Sequence, residues 1–478
     1  MTQAYSSELA LFIDGAWANS EGRDAVPVLN PATGETLAQL PVASAGDLDA
    51  ALAAAERAFP LWRATAVEAR AAILRKAAVL LRERSGDIAR TLTQEQGKPL
   101  AQALGEVAGS AQLFDWYAEE AARMYGRALV RPSGQRSLVL PQPVGPVALF
   151  TPWNFPLYLL AKKMAAALAA GCSVIAKPAE ETPGCTTALM RALADAGLPA
   201  GVAQLVYGVP DMISRHLIAS PIIRKISFTG STAVGKHLLR LAADNVTDTT
   251  MELGGHAPVI IFDDCNLEQV LDQAVPQKFR NAGQVCVSPT RFFVHDAVHD
   301  AFVTGFAERT ARLHVGDGLD KASDMGPLAN ARRPDAVGAL IGDALAKGAT
   351  RVVGGERIGN AGNFHQPTLL ADVPSHADIM SVEPFGPVAL TQRFDDFDAV
   401  VAAANAAPFG LAAFAFTDNG RRANLVADAL EVGMVGVNSF NISGVDTPFG
   451  GVKQSGFGRE GGAEGIASYC VTKAVHLA

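Results

Sequence analysis

Apolar residues fall into two rhythms along this chain. From Ala45 to about Met124 they recur at helical spacing in a stretch rich in Ala, Leu, Arg and Glu, which predicts helices. From Val144 onward, short β-branched runs take over at Val144–Phe150, Ser173–Ala176, Ala203–Val206 and Lys225–Phe228. They alternate with helical stretches at Leu157–Ala170, Pro183–Ala196, Asp211–Ala219 and Thr232–Ala243. Such alternation predicts βαβ units and a parallel sheet covered on both faces. A second series (Val259–Phe262, Leu267–Asn281, Arg291–Val294, Val298–Leu313) predicts a second α/β unit. Ala128–Pro141 reads as an extended excursion and Ala467–Val475 as a terminal strand, with glycine-rich turns at Gly354–Gly362 and Gly450–Gly462. No internal repeat or low-complexity linker interrupts the pattern.

Composition narrows the possibilities. The 478 residues are 49% hydrophobic and 18% charged, so a large core can be buried and disorder is not expected. A net charge of −8 with no block of Lys and Arg argues against a nucleic-acid partner. Met1 to Gly22 contains no Lys or Arg, so the basic start of a secretory signal is missing. The longest apolar stretch, Met164–Ala176, is too short to span a bilayer. A cytoplasmic protein without membrane attachment is therefore expected. The five cysteines (Cys172, Cys185, Cys265, Cys286, Cys470) are scattered and contain no C-x-x-C pair, so neither a disulfide framework nor a metal site is expected.

Five short segments carry candidate chemistry. Pro152-Trp153-Asn154-Phe155-Pro156 follows a strand and precedes a helix; its prolines and aromatics would hold the Asn154 amide at the ligand-binding edge of a sheet. Phe228 to Lys236 is a strand, a turn at Gly230-Ser231 and a helix start, where small residues let N–H groups approach a phosphate. Gly230 to Lys236 also fits the G-x-x-x-x-G-K spacing of a P-loop, and Val259–Asp263 could supply the accompanying strand and aspartate. His237 then stands where magnesium needs a hydroxyl, which weakens an ATPase or kinase reading. Met251-Glu252-Leu253-Gly254-Gly255 puts a carboxylate at a strand end. Gly283-Gln284-Val285-Cys286 puts a thiol in a turn leaving a helix, where reactive cysteines are found. Glu383-Pro384-Phe385-Gly386-Pro387 is another rigid turn with a carboxylate.

In this order and at these separations the five segments resemble the aldehyde dehydrogenase superfamily. The resemblance runs from Phe12-Ile13-Asp14-Gly15 through Asn30-Pro31-Ala32-Thr33-Gly34 to Pro448-Phe449-Gly450-Gly451-Val452-Lys453. It implies an α/β fold with a Rossmann-like cofactor domain (1–127 and 142–252), an α/β catalytic domain (253–445) and a small β oligomerisation region (128–141 and 446–478). A homodimer or homotetramer would cover the strand edges of that region.

The resemblance also assigns roles. Cys286 matches the nucleophile, which carries a thiohemiacetal and then a thioester. Asn154, with the Cys286 N–H, matches the oxyanion donor, and Glu252 matches the general base. Lys163 and Glu460 match the polar partners that relay its proton. Trp153, Lys177, Gly230, Ser231, Val234 and Leu253 match positions around the dinucleotide, Glu383 its nicotinamide ribose, and Phe385 the nicotinamide ring. Glu180 falls at the adenine ribose, where a carboxylate accepts from both hydroxyls and repels a 2′-phosphate; NAD is expected over NADP.

Within the superfamily the chain looks closest to succinate-semialdehyde dehydrogenases, which grip a distal carboxylate with two arginines and a serine. Arg291 and Ser443 are expected in two of those places, and Lys162, without the bidentate fork, in the third. A competing expectation is an apolar pocket lined by Tyr158, Phe440 and Phe449, with Arg291 structural. Ser288 replaces the second cysteine that gives some relatives a redox switch. Cys286, Glu252 and Asn154 are all present, which argues against a non-enzymatic relative. Glu252 also argues against an enzyme that hands its thioester to coenzyme A.

Overall fold

The computed structural model describes residue 5 and residues 8–477; the reading of residues 1–4, 6 and 7 lies outside the described residues. Four helices come first: Ala45–Ala64, Val67–Glu83, Ser85–Gln96 and Leu100–Glu120. Ser44 starts the first with a capping box to Asp47, satisfying N–H groups that a helix start leaves free. The first of these packs on strands of a sheet made by the first βαβ series, and the other three pack on helices of that series, Pro156–Ala170 and Pro183–Ala196.

That sheet has eight strands, in the order Ala16–Ala18, Leu11–Ile13, Ala203–Leu205, Val174–Lys177, Val147–Phe150, Lys225–Thr229, Asp248–Glu252, Gly456–Phe457. The central five are parallel, and antiparallel strands close both edges. Leu149, Ile175, Leu205 and Ile226 are fully buried, which explains why these strands read as apolar runs without alternation. The strand order reverses between Val147–Phe150 and Lys225–Thr229. At such a point the connections leave to opposite faces and open a crevice beyond the carboxyl ends of the strands. The Pro152–Pro156 turn and the Gly230-Ser231 turn both leave the sheet there.

A second sheet of seven strands runs Thr350–Val353, Thr368–Ala371, Val388–Phe394, Pro289–His295, Ala257–Ile261, Ala412–Phe416, Met434–Val437, parallel except at the first pair. It has its own apolar core, including Phe292, Phe302, Phe306 and Phe414. The excursion is a hairpin, Arg127–Val130 with Arg136–Pro143, and Cys470–Leu477 pairs with its second strand over eight residues. Of the segment 446–478, only that last strand joins the hairpin. Gly456–Phe457 instead closes the first sheet, and Val452–Lys453 pairs with Phe409–Gly410. Among the described residues, no helix is long and apolar enough to cross a membrane and no cluster could hold a metal ion.

Candidate active site

Cys286 follows the helix Leu267–Phe279 through a turn whose backbone is left-handed at Asn281, Ala282 and Gly283 (φ 51°, 53° and 71°). At Gly283 a Cβ would overlap the carbonyl of Gly386, so glycine is required. The two non-glycine residues cost roughly 1 kcal/mol each in this conformation, and neighbours hold them there. The Asn281 N–H donates to Gln102 Oε1 at 2.9 Å and its amide donates to the Asn154 carbonyl at 2.9 Å. Asn154 itself is buried, and its Nδ2 donates to the carbonyl of Gln284, two residues before Cys286, at 3.0 Å. One N–H of that amide is thus tied beside the thiol, and the other has no acceptor among the described residues. Burial, followed by the Glu383 and Glu252 carboxylates, pushes the Cys286 thiol up to about 12, while Lys162 pulls the other way.

Glu252 ends its strand with a buried carboxylate, neither oxygen of which is hydrogen-bonded among the described residues. It is turned toward Gly450, where a Cβ would lie 2.9 Å from its Oε1. Burial and then the negative charge of Glu460 raise its proton affinity well above the usual carboxylate range; Lys163, Lys162 and Arg459 oppose this. Lys163 and Glu460 form a buried ion pair, and Lys163 Nζ and Glu460 Oε1 both meet Ser227 Oγ, at 3.0 and 3.1 Å. Lys163 and Glu460, the two residues expected to relay the Glu252 proton, are thus paired with each other, and both act on Glu252 through their charge.

The cofactor candidates gather around the crevice. Ser231 caps the helix Thr232–Ala243 by accepting from the Val234 N–H, and Leu253 packs so tightly under that helix that Gly235 has no room for a Cβ. Trp153 and Phe385 meet edge to face at 5.6 Å. Glu383 Oε1 accepts from the Gly255 N–H at 3.2 Å, and burial pushes its carboxyl up to about 8. Lys177 and Glu180 form an ion pair at the end of their strand. The Oγ1 atoms of Thr151, just past one of the two strands that flank the crevice, and of Thr229, the last residue of the other, are buried without partners among the described residues. Orphaned hydroxyls, an open helix N-terminus and a carboxylate at the far side fit a dinucleotide.

A cavity of about 730 Å³ opens on Cys286 from the other side. Phe155, Tyr158, Phe440 and Phe449 line it together with Lys162, Arg280 and Ser443. Crevice and cavity thus meet at one thiol.

Residues 17–475 match the aldehyde dehydrogenase family. The chain belongs to that family. It is 48% identical to the 4-(hydroxymethyl)benzenesulfonate dehydrogenase of Comamonas testosteroni, over 98% of this chain and 97% of the relative. Identity to the succinate-semialdehyde dehydrogenase [NADP(+)] of Escherichia coli K12 is 43%, over 96% of each. The crystal structure of succinate-semialdehyde dehydrogenase from Burkholderia pseudomallei superimposes with a TM-score of 0.97 at 43% identity, covering 100% of this chain and 99% of that one. The aldehyde dehydrogenase family uses a nicotinamide cofactor, NAD or NADP.

For this aldehyde dehydrogenase the substrate residues need one correction. Arg291 does not line the cavity. It is buried, and its guanidinium donates to the carbonyls of His256 (3.0 Å), Ala403 (3.4 Å) and Ala404 (3.0 Å), tying its strand to the end of the helix Phe397–Asn405. A guanidinium spent on three carbonyls has little left for a ligand. Arg280, which the sequence analysis did not single out, does face the cavity. Its Nε is buried without a partner among the described residues, and its guanidinium lies 5.4 Å from the Phe155 ring centroid. Lys162 is only 2% exposed, with its ammonium 4.1 Å from the Phe449 ring centroid and 5.1 Å from that of Tyr158. Neither cation has a carboxylate within ion-pair distance among the described residues.

Proposed function

We propose that the enzyme oxidises an aldehyde bearing a distal acid group, a short ω-semialdehyde such as succinate semialdehyde being the leading case, to the carboxylate. The observation that carries this reading is the pair of unmatched cations, Lys162 and Arg280, in the cavity that opens on Cys286. Desolvated cations without a counter-ion favour a ligand that brings one. In this mechanism the Cys286 thiol gives its proton to Glu252, from which Lys163 and Glu460 carry it off, and Sγ adds to the aldehyde carbon to give a thiohemiacetal. Asn154 Nδ2 and the Cys286 N–H donate to the oxyanion, a contribution of about 3 kcal/mol for one such donor. Residues around the crevice would hold a nicotinamide, which would supply the acceptor for the hydride lost as the thiohemiacetal becomes the thioester. Glu252 then takes a proton from the water that cleaves the Cys286 thioester, and Lys163 with Glu460 passes the proton on.

The aromatic wall of the cavity supports a second reading, an aryl aldehyde carrying an acid group, and one relative is named for a benzenesulfonate. Matched pairs separate these from the apolar-pocket alternative, a broad-specificity aliphatic or aromatic enzyme. We expect succinate semialdehyde to exceed butanal, or 4-sulfobenzaldehyde to exceed benzaldehyde, by about 2 kcal/mol or roughly 30-fold in kcat/KM. Equal activity within both pairs would sink the acid-binding reading.

NAD is the proposed cofactor, supported by the Glu180 carboxylate beside Lys177 at the adenine-ribose position. The E. coli relative is named for NADP(+), so the comparison of kcat/KM for the two cofactors is decisive. Glu180→Ser is expected to narrow or reverse the preference. We also infer that the first sheet holds the cofactor, the second supplies the nucleophile, and the hairpin pairs subunits in a homodimer or homotetramer.

A further inference from the structure

The turn that carries Asn154 is gripped by a buried ion pair that has no part in the chemistry above. Lys98 and Glu106 are both buried, with Lys98 Nζ 2.6 Å from Glu106 Oε2. The same ammonium donates to the Asn154 carbonyl at 2.7 Å and lies 4.0 Å from the Phe155 ring centroid. The other oxygen, Glu106 Oε1, accepts from the N–H groups of Leu157 (3.0 Å) and Tyr158 (3.2 Å), in the first turn of the helix Pro156–Ala170. The pair therefore holds the chain on both sides of Phe155.

Its own base is rigid. Glu106 sits within the helix Leu100–Glu120, and Lys98 follows Gly97, which is left-handed (φ 95°). A Cβ on Gly318 would come within 2.5 Å of the Lys98 carbonyl, and one on Gly326 would overlap that of Gly97, so the turn is wedged in place. A buried ion pair is a weak source of stability compared with apolar side chains of equal volume, which leaves its geometry as what it contributes.

We propose that Lys98 and Glu106 are positioning residues for the oxyanion donor: they fix the Asn154 peptide so that its side-chain amide meets the oxyanion forming at Cys286. This rests on the reading of Asn154 as that donor. A displacement of about 1 Å in such a group costs up to a hundredfold in rate.

The test is the rate of the first NADH burst with the preferred aldehyde in wild type, Glu106→Asp, Asn154→Ala and the two combined. Glu106→Asp keeps the charge but withdraws the carboxylate from Leu157 and Tyr158. It is expected to slow the burst between about ten- and a hundredfold, leaving NAD binding and alkylation of Cys286 by iodoacetamide unchanged. In the Asn154→Ala background the same change should slow the burst no further. A wild-type burst in Glu106→Asp, or an equal loss in both backgrounds, overturns the proposal. A wild-type burst in Asn154→Ala alone overturns instead the oxyanion reading beneath it. Should Glu106→Asp not fold, the doubly neutral Lys98→Met/Glu106→Gln protein leaves no charge stranded. It should melt near wild type and still lose the burst; a wild-type burst there would equally overturn the proposal.

Discussion

Two arginines eleven positions apart, Arg280 and Arg291, show what a single side chain decides. Arg291→Ala strips three carbonyls of their donor, which at about 1–3 kcal/mol for each buried group left unsatisfied lowers the melting temperature. Preference between succinate semialdehyde and butanal should not change in that variant. Arg280→Ala should do the reverse, erasing the preference through KM with little loss of stability; melting curves and steady-state kinetics on the two proteins check both halves. The resemblance points to Arg291, whose guanidinium is bound to three carbonyls, whereas Arg280 lines the cavity. Nothing in the local pattern distinguishes the two arginines, because the left-handed residues Asn281, Ala282 and Gly283 turn the chain between them. Lys162 and Ser443, by contrast, line the cavity. The thiol offers a further check at this scale. With Cys286 pushed up to about 12 by burial and two carboxylates, the thiolate is a minor species at neutral pH. Its alkylation by iodoacetamide is expected to climb about tenfold per pH unit between roughly pH 7 and 9. Lys162→Met removes the opposing positive charge and should slow alkylation at every pH in that range. A flat profile would mean that the thiol is already ionised.

At the scale of elements, the site is a set of turns fixed by the strands and helices they join. Periodicity was enough to place most of these elements, since parallel strands buried on both faces read as apolar runs and the helices between them as amphipathic stripes. Thr232–Ala243 and Pro183–Ala196 match their expected bounds. The helix expected at Leu267–Asn281 instead stops at Phe279, and the chain then turns through the left-handed residues Asn281 to Gly283. Left-handed residues cost local energy that only contacts distant in sequence offset, here Gln102, Asn154 and Gly386, so propensity does not reveal them. Gly283→Ala tests how tightly that turn is held. With no space for a methyl beside Gly386, the nucleophile loop must shift. A loss of about a hundredfold or more in kcat is expected, together with a lower melting temperature. Wild-type values for both would show that the turn is not constrained as described.

The whole molecule joins two sheets, with Cys286 facing the crevice of one and the cavity beside it. Leu253 to His256 links the sheets directly, and the chain returns after Gly450 to add Gly456–Phe457 to the first sheet, so that Glu460 reaches Lys163. These long-range returns are not visible in any local pattern; only the family resemblance placed Glu460 in the site. The hairpin leaves the strand Arg127–Val130 unpaired on one side in this chain, with Val130 87% and nearby Tyr125 79% exposed. An apolar strand edge of that kind calls for a partner, and light scattering is expected to give the mass of a dimer or tetramer; a monomer at micromolar concentration would contradict it. The central claim, that an acid-bearing aldehyde is oxidised while bound to Cys286, is tested most directly by acid-quenching Glu252→Gln during its first turnover with succinate semialdehyde and NAD, then mapping the peptides by mass. The result predicted is a succinyl group on the Cys286 peptide, absent when NAD is omitted. An unmodified Cys286 in protein that has already formed a stoichiometric burst of NADH would contradict it.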